Sequence, residues 1–299
     1  MPKSGKDKKT LKQALNYDWP EIQKHLIEER AREAAEESGE EGDPYEPYWT
    51  TNSDGTRTLH MSLDSWWLQH FDREDVIFEL PGIVVMNSKD WHAGDAAWTL
   101  REAYGVGRDE DCDDCFSEED IATHVELFPE GQFTAFRISG PAAGQALAIA
   151  VTMRTSRPPT ASILPWREAI GDMRLGAHEP DGDWLYGVEM AVHPNYQGHG
   201  IGTSLYEARF SLVKSLSLRG WYLVGMLMGY RDHADDMDVL EYGNKVIARE
   251  VKDPTVTMQM NRGFRPERVI TDYVDEAAAG DAGVLLVWDN PHFDLEKLT

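Results

Sequence analysis

From residue 81 onward the apolar positions switch between two spacings. Short apolar or alternating runs at Ile83–Met86, Gln132–Ile138, Ala146–Met153, Trp184–Val192, Trp221–Met228, Val269–Val274 and Gly283–Trp288 predict strands. Between them, apolar residues recurring every third or fourth position predict helices over Asp95–Tyr104, Glu118–Leu127, Ile201–Leu218 and Val239–Val251. Ser117 and Asp120 form a capping-box pattern at the start of the second helix. Asp253 and Pro254 read as the cap and first residue of a short helix through Met260. The stretch 157–183 reads as irregular. Strands interleaved with helices predict a layered α/β fold with a mixed central sheet flanked by helices.

Residues 1–78 follow a different pattern and are expected to form an extension ahead of a domain spanning 79–299. Leu11–Ala35 has helical spacing with a break at Pro20, and Glu28–Glu46 is an acidic stretch running into a linker. Asn52–Gly55 reads as a turn, and Leu63–Phe71 as an aromatic segment that docks on the main domain or on a second subunit. The extension is therefore expected to be mainly helical or irregular, and a candidate homodimer contact.

The chemistry concentrates after the strand Trp184–Val192. A loop, His193–Tyr196, leads into Gln197-Gly-His-Gly-Ile-Gly202, and the helical stripe Ile201, Leu205, Ala208, Leu212 follows at once. A helix start presents free N–H groups backed by the positive end of its dipole, and glycines let a large phosphate come close. The turn predicts a pyrophosphate site. Strict alternation along the strand puts Tyr186, Val188, Met190 and Val192 on one face. Leu185, Gly187, Glu189 and Ala191 then share the other, where Glu189 among small neighbours would hold its proton more tightly and serve as a base. His193 and His199 flank the turn and read as solvent-facing; Trp66, Trp67, Trp166 and Trp221 read as core or interface.

The charge of −24 opposes nucleic-acid binding and is read as a solubility device rather than a lure for cations. No apolar run reaches the length of a membrane span, and Met1–Lys12 lacks the apolar stretch of a secretory signal, so a cytoplasmic location and no membrane partner are expected. Cys112 and Cys115 lie among eight acids between Asp109 and Asp120, and read as two thiols in an acidic loop, with no metal site. The glycine turn matches a dinucleotide fingerprint poorly.

Gln197–Gly202 fits Q/R-x-x-G-x-G/A, and with Ala191–Pro194, Ser204–Tyr206, Phe128–Phe133 and Asn261–Phe264 the chain resembles the GNAT N-acetyltransferase superfamily, in a subgroup often fused to carbon–nitrogen hydrolases. The resemblance covers roughly residues 80–290. It implies acetyl-CoA as cofactor and a primary amine, small-molecule or peptide, as acceptor. It implies a splay between the strands at Trp184–Val192 and Trp221–Met228, with the pantetheine arm against Met190, Ala191 and Val192. The pyrophosphate would lie on Gln197, Gly198, His199, Gly200, Ile201, Gly202 and Thr203. Glu189 would be the base and Val192 N–H the carbonyl donor. The family's acidic tyrosine is replaced by Gln259, and Tyr230 is the expected substitute, with Tyr242 and Tyr273 as alternatives. That departure leaves a second reading open, a CoA-binding regulatory or partner-docking module without turnover.

Overall fold

Two apolar strands that run side by side at the centre of a sheet set the frame of the molecule. In the computed structural model, which describes residues 48–51, 57–60, 75–80, 82–106, 112–137 and 144–293, strands β1 (Tyr48–Thr51) and β2 (Arg57–His60) pair with each other as an antiparallel hairpin. The segments 11–35 and 63–71 singled out in the sequence lie outside the described residues.

Strands β3 (Val76–Leu80), β4 (Ile83–Asn87), β5 (Gln132–Arg137), β6 (Ala146–Thr155), β7 (Trp184–Val192), β8 (Gly220–Met226), β9 (Arg265–Ile270) and β10 (Gly283–Asp289) form one sheet in the order β3-β4-β5-β6-β7-β8-β10-β9. Every neighbouring pair is antiparallel except β7 and β8. This is the mixed, helix-flanked sheet that the sequence pattern predicts. Its first strand, β3, crosses the expected boundary at residue 78.

Helices cover both faces. Helix α1 (Ala93–Tyr104), α2 (Glu118–Leu127) and α3 (Trp166–Ile170) bury Ala97, Leu100, Ile121 and Trp166 with Tyr186, Val188 and Tyr222. Helix α4 (Ile201–Ser215), α5 (Val239–Ile247) and α6 (Val256–Asn261) bury Leu205, Tyr206, Tyr242 and Met260 with Leu185, Trp221 and Leu223 on the opposite face. The predicted capping box closes on α2: Ser117 Oγ accepts from Asp120 N–H at 3.2 Å, and Ser117 N–H donates to Asp120 Oδ2 at 2.9 Å. Asp253 Oδ1 accepts from Thr255 and Val256 N–H ahead of α6, whose first residue is Val256 rather than the expected Pro254.

Besides β1, β2 and the start of β3, which are strands in a stretch expected to be helical or irregular, two elements depart from the sequence reading. Helix α3 lies inside the stretch read as irregular. Strand β9 occupies Arg265–Ile270 rather than 269–274; it carries Pro266 and three charges and is an edge strand, where one side needs no ladder bonds.

Candidate active site

The site begins with an irregularity in β7. Val151 faces Glu189 while Thr152 faces Gly187, so Val188 is an extra residue, a β-bulge. Before it, Tyr186 and Val188 pack on the α1 face and Leu185 on the α4 face. After it, Met190 and Val192 pack on the α4 face and Ala191 on the α1 face. Strict alternation therefore fails at this point. Glu189 does not share a face with Leu185; the bulge turns it toward α1, where Tyr104 O–H donates to its Oε2 at 2.6 Å. Trp166 Nε1–H donates to Val188 O at 3.1 Å and holds the bulge.

The parallel ladder stops at the same place. It pairs Trp184 with Gly220 through Gly187 with Leu223, and beyond Gly187 no described strand lies beside that edge of β7. Gly187 is required there, since a Cβ would sit 2.9 Å from Trp221 Nε1 and 3.0 Å from Leu223 Cβ. A cavity of about 540 Å³ fills the gap. Tyr206, Arg209, Met258 and Gln259 line it from the α4 side, and Tyr104, Trp166, Tyr273 and Glu276 from the α1 side. The cavity thus passes through the sheet, with Glu189 on its wall.

Burial pushes the Glu189 carboxyl above the usual carboxylate range, opposed by the Tyr104 hydroxyl, its own bond from Met190 N–H at 2.7 Å and the Arg209 charge. The Tyr104 hydroxyl is turned inward although its ring edge is exposed, and loss of water together with the Glu189 charge drives its proton affinity well up. Arg209 is buried and its guanidinium stacks over Tyr206 and Trp221, 4.6 and 4.4 Å from the ring centroids; burial pulls it down to about 10.

The glycine turn lies beside the end of β7. Gly198 and Gly200 adopt φ of +79° and +89°, the left-handed region, and Gly200 is the N-cap residue of α4. Gln197 Nε2–H donates to Val192 O at 3.1 Å, which ties the turn to the strand. Residues 197–200 are exposed, so the predicted anion site is open to solvent. His199 is exposed, whereas His193 is buried, with Nε2 3.6 Å from Glu102; it is not the solvent-facing residue expected.

Of the predicted site residues, Glu189 and Met190 line the cavity, Ala191 and Val192 continue β7 beyond it, and Gln197–Thr203 follow as the turn and first residues of α4. The structure does not bring in Tyr230, whose ring packs under Gly280 and 5.7 Å from that of Tyr242. Cys112 and Cys115 are not free thiols: their Cα atoms are 5.3 Å apart in a tight turn and the sulfurs are joined in a disulfide beside the cavity. Arg167 holds this turn through Asp114 Oδ1 at 2.8 Å. Tyr104, Tyr206 and Arg209 escaped the sequence reading because residues far apart in the chain bring them together. Arg262, whose Nη2–H donates to Thr203 Oγ1 at 2.8 Å, was detectable as the cation next to the Gly263-Phe264 turn.

A family profile described as "Acetyltransferase (GNAT) family" matches residues 115–229, which contain the bulge, the gap and the glycine turn. Those residues match the GNAT acetyltransferase family and make up less than half of the chain. "Uncharacterized N-acetyltransferase YkwB" of Bacillus subtilis (strain 168) is 29% identical over 175 residues, 58% of this chain and 75% of that protein. "Probable hydrolase YhcX" of the same organism is 31% identical over 184 residues, 59% of this chain. The aligned GNAT region spans only 35% of the YhcX length, in keeping with the hydrolase-fused subgroup. Among solved structures, the GphF GNAT-like decarboxylase in complex with isobutyryl-CoA shares the fold, with a TM-score of 0.54 at 16% identity, covering 69% of this chain and 98% of that one. Among the described residues, no helix is long and apolar enough to cross a membrane.

Proposed function

We propose that this chain is an acetyl-CoA-dependent N-acetyltransferase acting on a primary amine, small-molecule or peptide. The observation that carries the reading is the end of the β7–β8 ladder at Gly187, which opens a cavity walled by the half-buried Glu189, on the strand that leads into the glycine-rich start of α4. The residues present suit coenzyme A. The N–H groups of Gly198–Thr203 and the guanidinium of Arg262 suit a diphosphate. The unpaired edge of β7 at residues 188–192 suits an amide-bearing arm, and Gln259 Oε1 is buried without a partner and can accept an amide N–H. When bound, the thioester supplies an activated acetyl group. GphF is bound to an acyl-CoA, which supports this class of ligand for the fold.

The chain's own residues then have three tasks. Trp166, Tyr104 and Tyr273 enclose the acceptor side of the cavity and exclude water. Glu189 removes a proton from the attacking amine, directly or through one water. The amides of Met190–Val192 orient the carbonyl for attack. Calorimetric titration with acetyl-CoA followed by a thiol-release screen of primary amines tests the reading. Micromolar-range binding with thiol release for at least one amine supports it. Binding that Glu189→Gln leaves unchanged, with no release for any amine, favours the regulatory-module reading instead.

A further inference from the structure

Glutamine at position 259 leaves α6 without a phenol, and the neighbouring helix supplies one. We propose that Tyr206 is the acid that protonates the departing sulfur, and that Gln259 is its positioning residue; this rests on the acetyl-transfer reading above. Tyr206 is 2% exposed and its side chain lines the cavity on the α4 face. Its oxygen accepts a hydrogen bond from Gln259 Nε2–H at 3.0 Å, which fixes the hydroxyl and leaves its own proton to donate. Among the described residues no carbonyl or carboxylate accepts that proton. Two guanidiniums lie over the ring, Arg209 at 4.6 Å and Arg262 at 4.8 Å from its centroid, and neither is ion-paired to a carboxylate among the described residues. Both hold positive charge against the face of the ring.

The position matches the task. Gln259 Oε1 abuts Gly225, where a Cβ would lie 2.1 Å from it, so the amide–phenol pair sits where β8 has parted from β7. Glu189 belongs to the α1 face and Tyr206 to the α4 face. The base therefore works on the acceptor side of the sheet and the acid on the opposite side. In the step, the amine nitrogen forms a bond to the acetyl carbon and the carbon–sulfur bond breaks with its electron pair on sulfur. The Tyr206 O–H proton goes to sulfur, the ammonium proton goes to Glu189, and Glu189 then gives its proton to solvent while solvent returns one to the tyrosinate.

The test titrates the thiol of bound coenzyme A by its thiolate absorbance, in the wild type, Tyr206→Phe and Gln259→Leu. Phenylalanine keeps the ring and its cation contacts, and removes only the hydroxyl. A donor to the thiolate lowers the bound thiol's pKa, so Tyr206→Phe is expected to raise it by about one unit. Gln259→Leu, which keeps the hydroxyl but frees it, is expected to raise it by less. In steady state, Tyr206→Phe is expected to lower kcat about 10- to 100-fold with little change in KM for acetyl-CoA. An identical thiol titration in the wild type and Tyr206→Phe overturns the assignment of Tyr206 while leaving acetyl transfer intact. Failure of coenzyme A to bind the wild type overturns the acetyl-transfer reading and this assignment with it.

Discussion

Glu189 owes its properties to one extra residue in a strand. Burial raises its pKa, so in the proposed role of base it is active only when pH exceeds that raised value, and kcat/KM is expected to fall as pH drops through it. Glu189→Gln is expected to lower kcat by about 100- to 10,000-fold, measured by thiol release. Its effect on stability has the opposite sense. The folded state holds the Glu189 proton more tightly than the unfolded chain, so this group stabilises the fold at low pH and that contribution is lost as pH rises through the folded value. Glu189→Gln should therefore be at least as stable as the wild type at pH 8, with the difference shrinking in acid, as read by thermal unfolding. Tyr104→Phe removes the hydroxyl that favours the ionised carboxylate, so the acidic limb of the pH–rate profile should move to higher pH; an unmoved limb contradicts the pairing. Glu189 was legible in the sequence as a carboxylate in an apolar strand, but its facing was not. Alternation assumes an unbroken ladder, and nothing local in Gly187-Val-Glu189 announces a bulge that depends on the register of β6.

The glycine turn and α4 were the most legible parts, because their signal is local: a left-handed N-cap and a stripe that must face a sheet. A side chain at Gly200 meets a φ of +89°, so Gly200→Ala should cost about 1–3 kcal/mol in denaturant unfolding and weaken acetyl-CoA binding together. Trp166→Phe deletes the indole N–H from Val188 O; the unpaired carbonyl should cost about 1–2 kcal/mol and lower kcat by disordering the bulge. Helix α3, which carries Trp166, is too short to show periodicity, and β9 is hidden by Pro266 and its charges. Tyr230, the expected substitute for Gln259, lies under the turn at Ala277–Gly280 and does not line the cavity, whereas Tyr206 of α4 does.

The whole chain carries 53 acidic against 29 basic residues, and self-repulsion on that scale weakens the folded state. Raising ionic strength from low salt should therefore raise Tm, as seen by calorimetry; an unchanged Tm would show that the acids are locally compensated. The two halves of the sheet meet at β7 and β8, and the proposed function rests on their parting beyond Gly187. Hydrogen exchange with and without acetyl-CoA tests this most directly. Slowed exchange at residues 188–192 and 198–203, with Val239–Ile247 unchanged, is the predicted result. Binding of acetyl-CoA that leaves both segments exchanging as before would contradict it.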